Sequence, residues 1–200
     1  AKTDSVLLLL STIMFMTLLK YYMRVDNKGS LNFFLLWGSL GISILIKGPL
    51  LLILLLITVI LISLIEKDVS WIKESKPLLG VLFVLIIGLP WFFLLSVDEQ
   101  KNFIQESFFH DFLGKAVKAQ ESHGFFPGFY LLGLWLFFSP FSIFFIPLIS
   151  FIKTSYKKKI ILFLICWILP CLIIMELIPT KLPHYILPVY PAIAIVMGLL

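Results

Sequence analysis

Long apolar runs alternate along the chain with short polar segments. The runs cover roughly 5–23, 30–46, 49–65, 77–97, 127–152, 160–178 and 185–200. A membrane-spanning helix needs about 20 mostly apolar residues, so each run reads as a candidate span. Leu50 to Ile65 is nearly unbroken Leu and Ile with no period-two alternation. A chain in lipid must satisfy its own backbone hydrogen bonds, so the pattern predicts helices rather than barrel strands. The second and third runs meet at Lys47-Gly48-Pro49, and Pro49 suits the first turn of a helix, where a missing N–H costs nothing. The fifth run carries Pro140 and Pro147, which predicts a kink or break.

Composition sharpens this picture. Apolar residues make up 60% of the 200-residue chain and charged residues 14%. Soluble domains average about 45–50% and about 25%, so a single water-soluble core is excluded, and so is intrinsic disorder. The expected fold is an all-α integral membrane bundle, read as part of one multi-spanning domain over 1–200. Cys166 and Cys171 both lie inside an apolar run, which argues against a disulfide framework or zinc site. The chain starts at Ala1 and stops at Leu200 within an apolar run. It is therefore expected to be a segment of a longer protein, inactive alone.

The net charge of +5 points less to nucleic acid than to topology, because the cations sit between apolar spans. One set of connections holds Lys20, Arg24, Lys28, Lys67, Lys73, Lys76, Lys153, Lys157, Lys158 and Lys159. The other holds Lys2, Lys47, Lys101, Lys115, Lys118 and Lys181, spread over longer loops. The denser set is expected in the cytoplasm. Lys47-Gly48-Pro49, the loop 98–126 and Thr180–Tyr185 then share the extracytoplasmic face. That face also receives His110, His123 and His184, and most of the acids. In the loop, Phe108, Phe109, Phe112, Leu113, Ala116 and Val117 fall on one face of a helix over 107–118, opposite His110, Asp111 and Lys115. This predicts an interfacial helix.

Candidate chemistry gathers on the same side. Asp4 stands at the mouth of the first span, where it either caps the helix or offers a carboxylate to a hydroxyl. Lys47 ends the second span, as a snorkelling anchor or as a cation for a phosphate at headgroup depth. His123 lies in the polar turn 120–124. Pro183, Pro188 and Pro191 prevent a regular helix start, and Lys181, His184 and Tyr185 are expected to project from this irregular backbone toward a wet cavity. Glu176 is an acid at the membrane boundary and therefore a candidate site residue. No Asp-x-Asp pattern calls for a metal, and no cofactor is expected.

Lys2-Thr3-Asp4, Lys47-Gly48-Pro49, Pro90-Trp91-Phe92, His123-Gly124 and Lys181-Leu182-Pro183-His184-Tyr185-Ile186-Leu187-Pro188-Val189-Tyr190-Pro191 occur in order over nearly the whole chain. Together they resemble the bacterial membrane glycosyltransferases related to protein O-mannosyltransferases, and within them the aminoarabinose lipid A transferases. The resemblance implies a GT-C fold. It also implies transfer of a sugar from a polyprenyl-phosphate donor to lipid A, another glycolipid or a protein, on the outer face of the bacterial cytoplasmic membrane. It implies a main catalytic base upstream of this chain, with Asp4 as a supporting carboxylate. It implies Lys47, Lys181 and Tyr185 as groups around the lipid phosphate, and His123 and His184 complete the expected substrate-binding set. The competing reading is a lipid or solute carrier. Carriers place polar groups near the bilayer midplane in broken helices, whereas here the middles of the spans are nearly free of charge.

Overall fold

The computed structural model describes residues 2–25, 29–94 and 128–200. The expected interfacial helix at 107–118, with His110, Asp111 and His123, lies outside them. The described residues form α1 (Lys2–Met23), α2 (Ser30–Lys47), α3 (Leu50–Glu66), a short α4 (Ser70–Glu74) and α5 (Pro77–Leu94). After the long loop come α6 (Phe129–Phe137), a 3₁₀ turn (Phe141–Phe144), α7 (Phe145–Ser155) and α8 (Lys159–Leu177). A 3₁₀ stretch (Pro183–Val189) leads into α9 (Tyr190–Gly198). Among the described residues α1, α2 and α8 are each long and apolar enough to cross a membrane.

α1 buries Leu7, Leu10, Met14, Phe15, Leu18, Tyr21 and Tyr22, one stripe at helical spacing. Val6, Leu9 and Met16 on its other side are exposed. The core joins α1 to α2, α2 to α5, and α3 to α8. Phe15 stacks on Trp167 of α8 at 4.4 Å between ring centroids. Thr58 of α3 donates its hydroxyl to the Cys166 carbonyl of α8 at 3.0 Å in a buried cross-link. α2 and α5 meet where Gly80 leaves room for the Trp37 indole, whose Nε1–H donates to the Ser75 carbonyl at 2.8 Å.

Polar contacts sort the helix ends into two poles. At the first, Lys47 at the end of α2 pairs with Asp4 at the start of α1. At the second, the Tyr22 hydroxyl at the end of α1 donates to Glu66 Oε1 at the end of α3, at 2.6 Å. Lys159 Nζ, at the start of α8, stands 3.9 Å from Glu66 Oε2. Arg24 pairs with Asp68 there at 3.2 Å. Ser70 donates side-chain and backbone hydrogen bonds to the Asp68 carboxyl, and these, more than Arg24, hold it below its ordinary pKa.

The fifth expected span is two helices. α6 and the segment Phe141–Ser155 are bent by 117° at the Phe138–Pro140 break. Pro140 lies in the break, whereas Pro147 sits in the first turn of α7, where it displaces no intrahelical bond. The chain still passes from pole to pole. Gly128 is tied to Glu176 at the end of α8, and Ser155 accepts from the Lys158 N–H just before α8 begins. The seventh expected span, from 185, starts as 3₁₀ and becomes α-helical only at Tyr190. Pro183 and Pro188 lack the N–H groups that an α-helix would use there.

Candidate functional site

The first pole gathers side chains from three separate segments. Gly48, at φ +71°, stops α2 and turns the chain, its N–H donating back to Ile44 O at 3.0 Å. Pro49 follows, and its carbonyl accepts the Ile53 N–H at 2.9 Å to open α3. This tight turn fixes Lys47 at the rim. Its ammonium pairs with Asp4 Oδ1 and lies 4.8 Å from the centroid of the Tyr185 ring, within cation–π range. His184 Nε2 is 3.6 Å from Asp4 Oδ2. The His184 and Tyr185 rings meet edge to face at 5.0 Å.

Accessibility divides the roles. The Asp4 side chain is 6% exposed, against 28% for Lys47 and 37% for His184. The cation and the imidazole reach the surface, and the carboxylate sits behind them. Partial burial is the main influence on His184 and lowers its pKa below the ordinary value. Asp4 opposes that shift and Lys47 adds to it. The imidazole is therefore neutral at pH 7, with one ring N–H to donate and one ring nitrogen to accept.

Lys181 belongs to a second group at the same pole. It is 3% exposed. Its Nζ donates to Glu176 Oε1 at 2.9 Å and to the Glu176 backbone carbonyl. It also lies 5.6 Å from the Tyr130 ring centroid. Its ammonium is covered and occupied, so a lipid phosphate reaches it only if that pair opens. The structure thus brings Asp4, Lys47, His184 and Tyr185 together and sets Lys181 among Glu176 and Tyr130. Tyr130 carried no sequence signal beyond being one aromatic in an aromatic run.

Asp4, Lys47, His184 and Tyr185 thus form a polar cluster at one end of a helix bundle. The architecture is that of an all-α integral membrane protein with a GT-C-type bundle. Two solved structures share the fold. ArnT from Cupriavidus metallidurans bound to undecaprenyl phosphate matches with a TM-score of 0.78 and 22% identity, covering 95% of this chain and 35% of that one. The same protein in the apo state matches with a TM-score of 0.72 and 23% identity, covering 95% and 34%. An uncharacterized protein of Aquifex aeolicus (strain VF5) is 29% identical over 186 residues, 93% of this chain and 41% of its own length. No family model matches the chain. The chain spans about two fifths of the Aquifex protein and about a third of ArnT.

Proposed function

We propose that this chain is the central membrane part of a glycosyltransferase. It moves a sugar from a polyprenyl-phosphate donor to lipid A, another glycolipid or a protein at the extracytoplasmic face of a bacterial cytoplasmic membrane. The observation that carries this reading is the meeting of Lys47, His184 and Tyr185 over a buried Asp4. The shared fold with ArnT, which was crystallised with undecaprenyl phosphate, supports it.

The chemistry follows from the charge balance of the reaction. An acceptor oxygen forms a bond to the anomeric carbon, and the bond from that carbon to the phosphate oxygen breaks. The electron pair leaves with the phosphate, which gains a negative charge, and the acceptor proton passes to a base. A cation already in place for the new charge lowers the barrier without reorganisation. Lys47 is that cation. Asp4 holds it in place before the donor arrives and acts as a supporting carboxylate, while the main base comes from outside this chain. Tyr185 flanks the ammonium, and His184, neutral at pH 7, donates to a phosphate or sugar oxygen. Lys181 serves the site by holding the backbone that carries His184 and Tyr185. His123 contributes from the loop to acceptor or donor binding. None of these steps calls on a metal or cofactor.

The test is sugar transfer by the full-length protein. Lys47→Ala, Asp4→Asn and Lys181→Ala are each expected to lower transfer from a polyprenyl-phosphate donor by about tenfold or more, roughly 1.4 kcal/mol of barrier per factor of ten. Wild-type rates for Lys47→Ala and Asp4→Asn at equal expression would reject the assignment.

A further inference from the structure

The stretch that carries His184 and Tyr185 is weakly self-supporting. It is a seven-residue 3₁₀ segment with prolines at 183 and 188. Runs of 3₁₀ longer than 3–4 residues are uncommon because their hydrogen bonds are poorly aligned. Something outside the stretch has to fix where it stands.

Tyr130 is that support. Its hydroxyl donates to the Leu182 carbonyl at 3.0 Å and accepts the Leu182 N–H at 3.1 Å. Both polar groups of the residue that leads into the stretch are thus held by one side chain, which fixes position and direction together. Tyr130 is fully buried. Its own N–H donates to Glu176 Oε2 at 3.1 Å, and the Gly128 N–H donates to Glu176 Oε1. Lys181 closes the set through Glu176 and the Tyr130 ring. The start of α6, the end of α8 and residues 181–182 are therefore one clamped unit, with His184 and Tyr185 immediately downstream.

We infer that Tyr130 and Glu176 are positioning residues that hold His184 and Tyr185 opposite Lys47, and so set the affinity of the site for the phosphate of a polyprenyl phosphate. The ligand in this inference rests on the proposed function; the clamp itself rests on the contacts alone. Neither residue is a catalytic group.

The experiment uses the full-length protein in detergent, with His184→Cys as a reporter and cysteines outside this chain replaced. Cys166 and Cys171 are buried and label slowly. Adding Tyr130→Phe should raise the rate of labelling by a water-soluble maleimide about fivefold, the population shift expected from losing a modest hydrogen bond, at a nearly unchanged melting temperature. Glu176→Gln, which keeps Tyr130, should do the same. In the protein with His184 intact, both substitutions should weaken undecaprenyl phosphate binding about fivefold, raising KM for the donor while kcat holds. Tyr156→Phe, exposed just past the end of α7, should change neither. Equal labelling with and without the two substitutions overturns the clamp. So does a fall in melting temperature and kcat at constant KM, the mark of a merely structural role. If the wild-type protein does not bind undecaprenyl phosphate, the transferase reading fails, and the labelling result still decides the clamp.

Discussion

At the scale of the residue, His184 sits half-buried beside Asp4. Burial lowers its folded pKa below the ordinary value of 6.5, so the folded state binds fewer protons than the unfolded one below that pH. The contribution of His184 to stability is therefore full above about 6.5 and declines as pH falls toward the folded value. The melting temperature of the wild-type protein should drop more between about pH 7 and pH 5 than that of His184→Gln. Parallel curves would show that the imidazole is solvated and carries no shift. The types and placement of Asp4, Lys47, His184 and Tyr185 were legible in the sequence, because charged and titratable groups stand out at the ends of apolar runs. The Tyr130–Leu182 clamp was not. It joins positions 52 apart, and a tyrosine within an aromatic run looks like any other core ring. Glu176 was visible as an acid at the membrane boundary, but nothing local revealed that it accepts from Gly128 and Tyr130.

At the scale of the element, helix–helix packing depends on small residues and on a few buried polar bonds. A Cβ placed on Gly80 falls 1.9 Å from Cε2 of Trp37, and a ring clamped to Ser75 has little room to retreat. Gly80→Ala should destabilise the bundle by about 1–3 kcal/mol, read as a lower melting temperature in detergent, and Trp37→Phe in the same chain should recover part of it. No loss for Gly80→Ala would mean that α2 and α5 do not approach as closely as described. Thr58→Val removes the buried bond to Cys166 and leaves that carbonyl without its side-chain donor, at a cost of about 1–3 kcal/mol. Helix lengths and most ends could be read from the runs of apolar residues. Helix faces could not: Leu7 and Leu10 of α1 are buried and Leu9 is exposed, and the same residue type meets both lipid and protein. The proline signals divided in a physical way. Pro140 has no N–H to give the Leu136 carbonyl and so cannot continue α6, whereas Pro147 falls in the first turn of α7, where no intrahelical bond needs its N–H.

At the scale of the whole molecule, charge and chemistry are separated along the bundle axis. Lys20, Arg24, Lys67, Lys73, Lys76 and Lys159 lie at or beside helix ends of the second pole, whose described acids are Glu66, Asp68 and Glu74. Asp4, Lys47, Glu176, Lys181, His184 and Tyr185 lie at the first. A carrier would place its binding groups midway along the helices, where the described spans carry Ser and Thr hydroxyls bonded to carbonyls of their own helix or of a neighbour. Under the proposed function the lysine-rich pole faces the cytoplasm, as the positive-inside rule expects, and sugar transfer takes place at the opposite pole.

That sidedness is tested most directly in intact cells expressing the full-length protein with a single reporter cysteine, labelled with a membrane-impermeant maleimide. The account predicts that His184→Cys labels from outside, and that Lys157→Cys labels only after the membrane is permeabilised. The reverse pattern, or labelling of both from the same side, would contradict it.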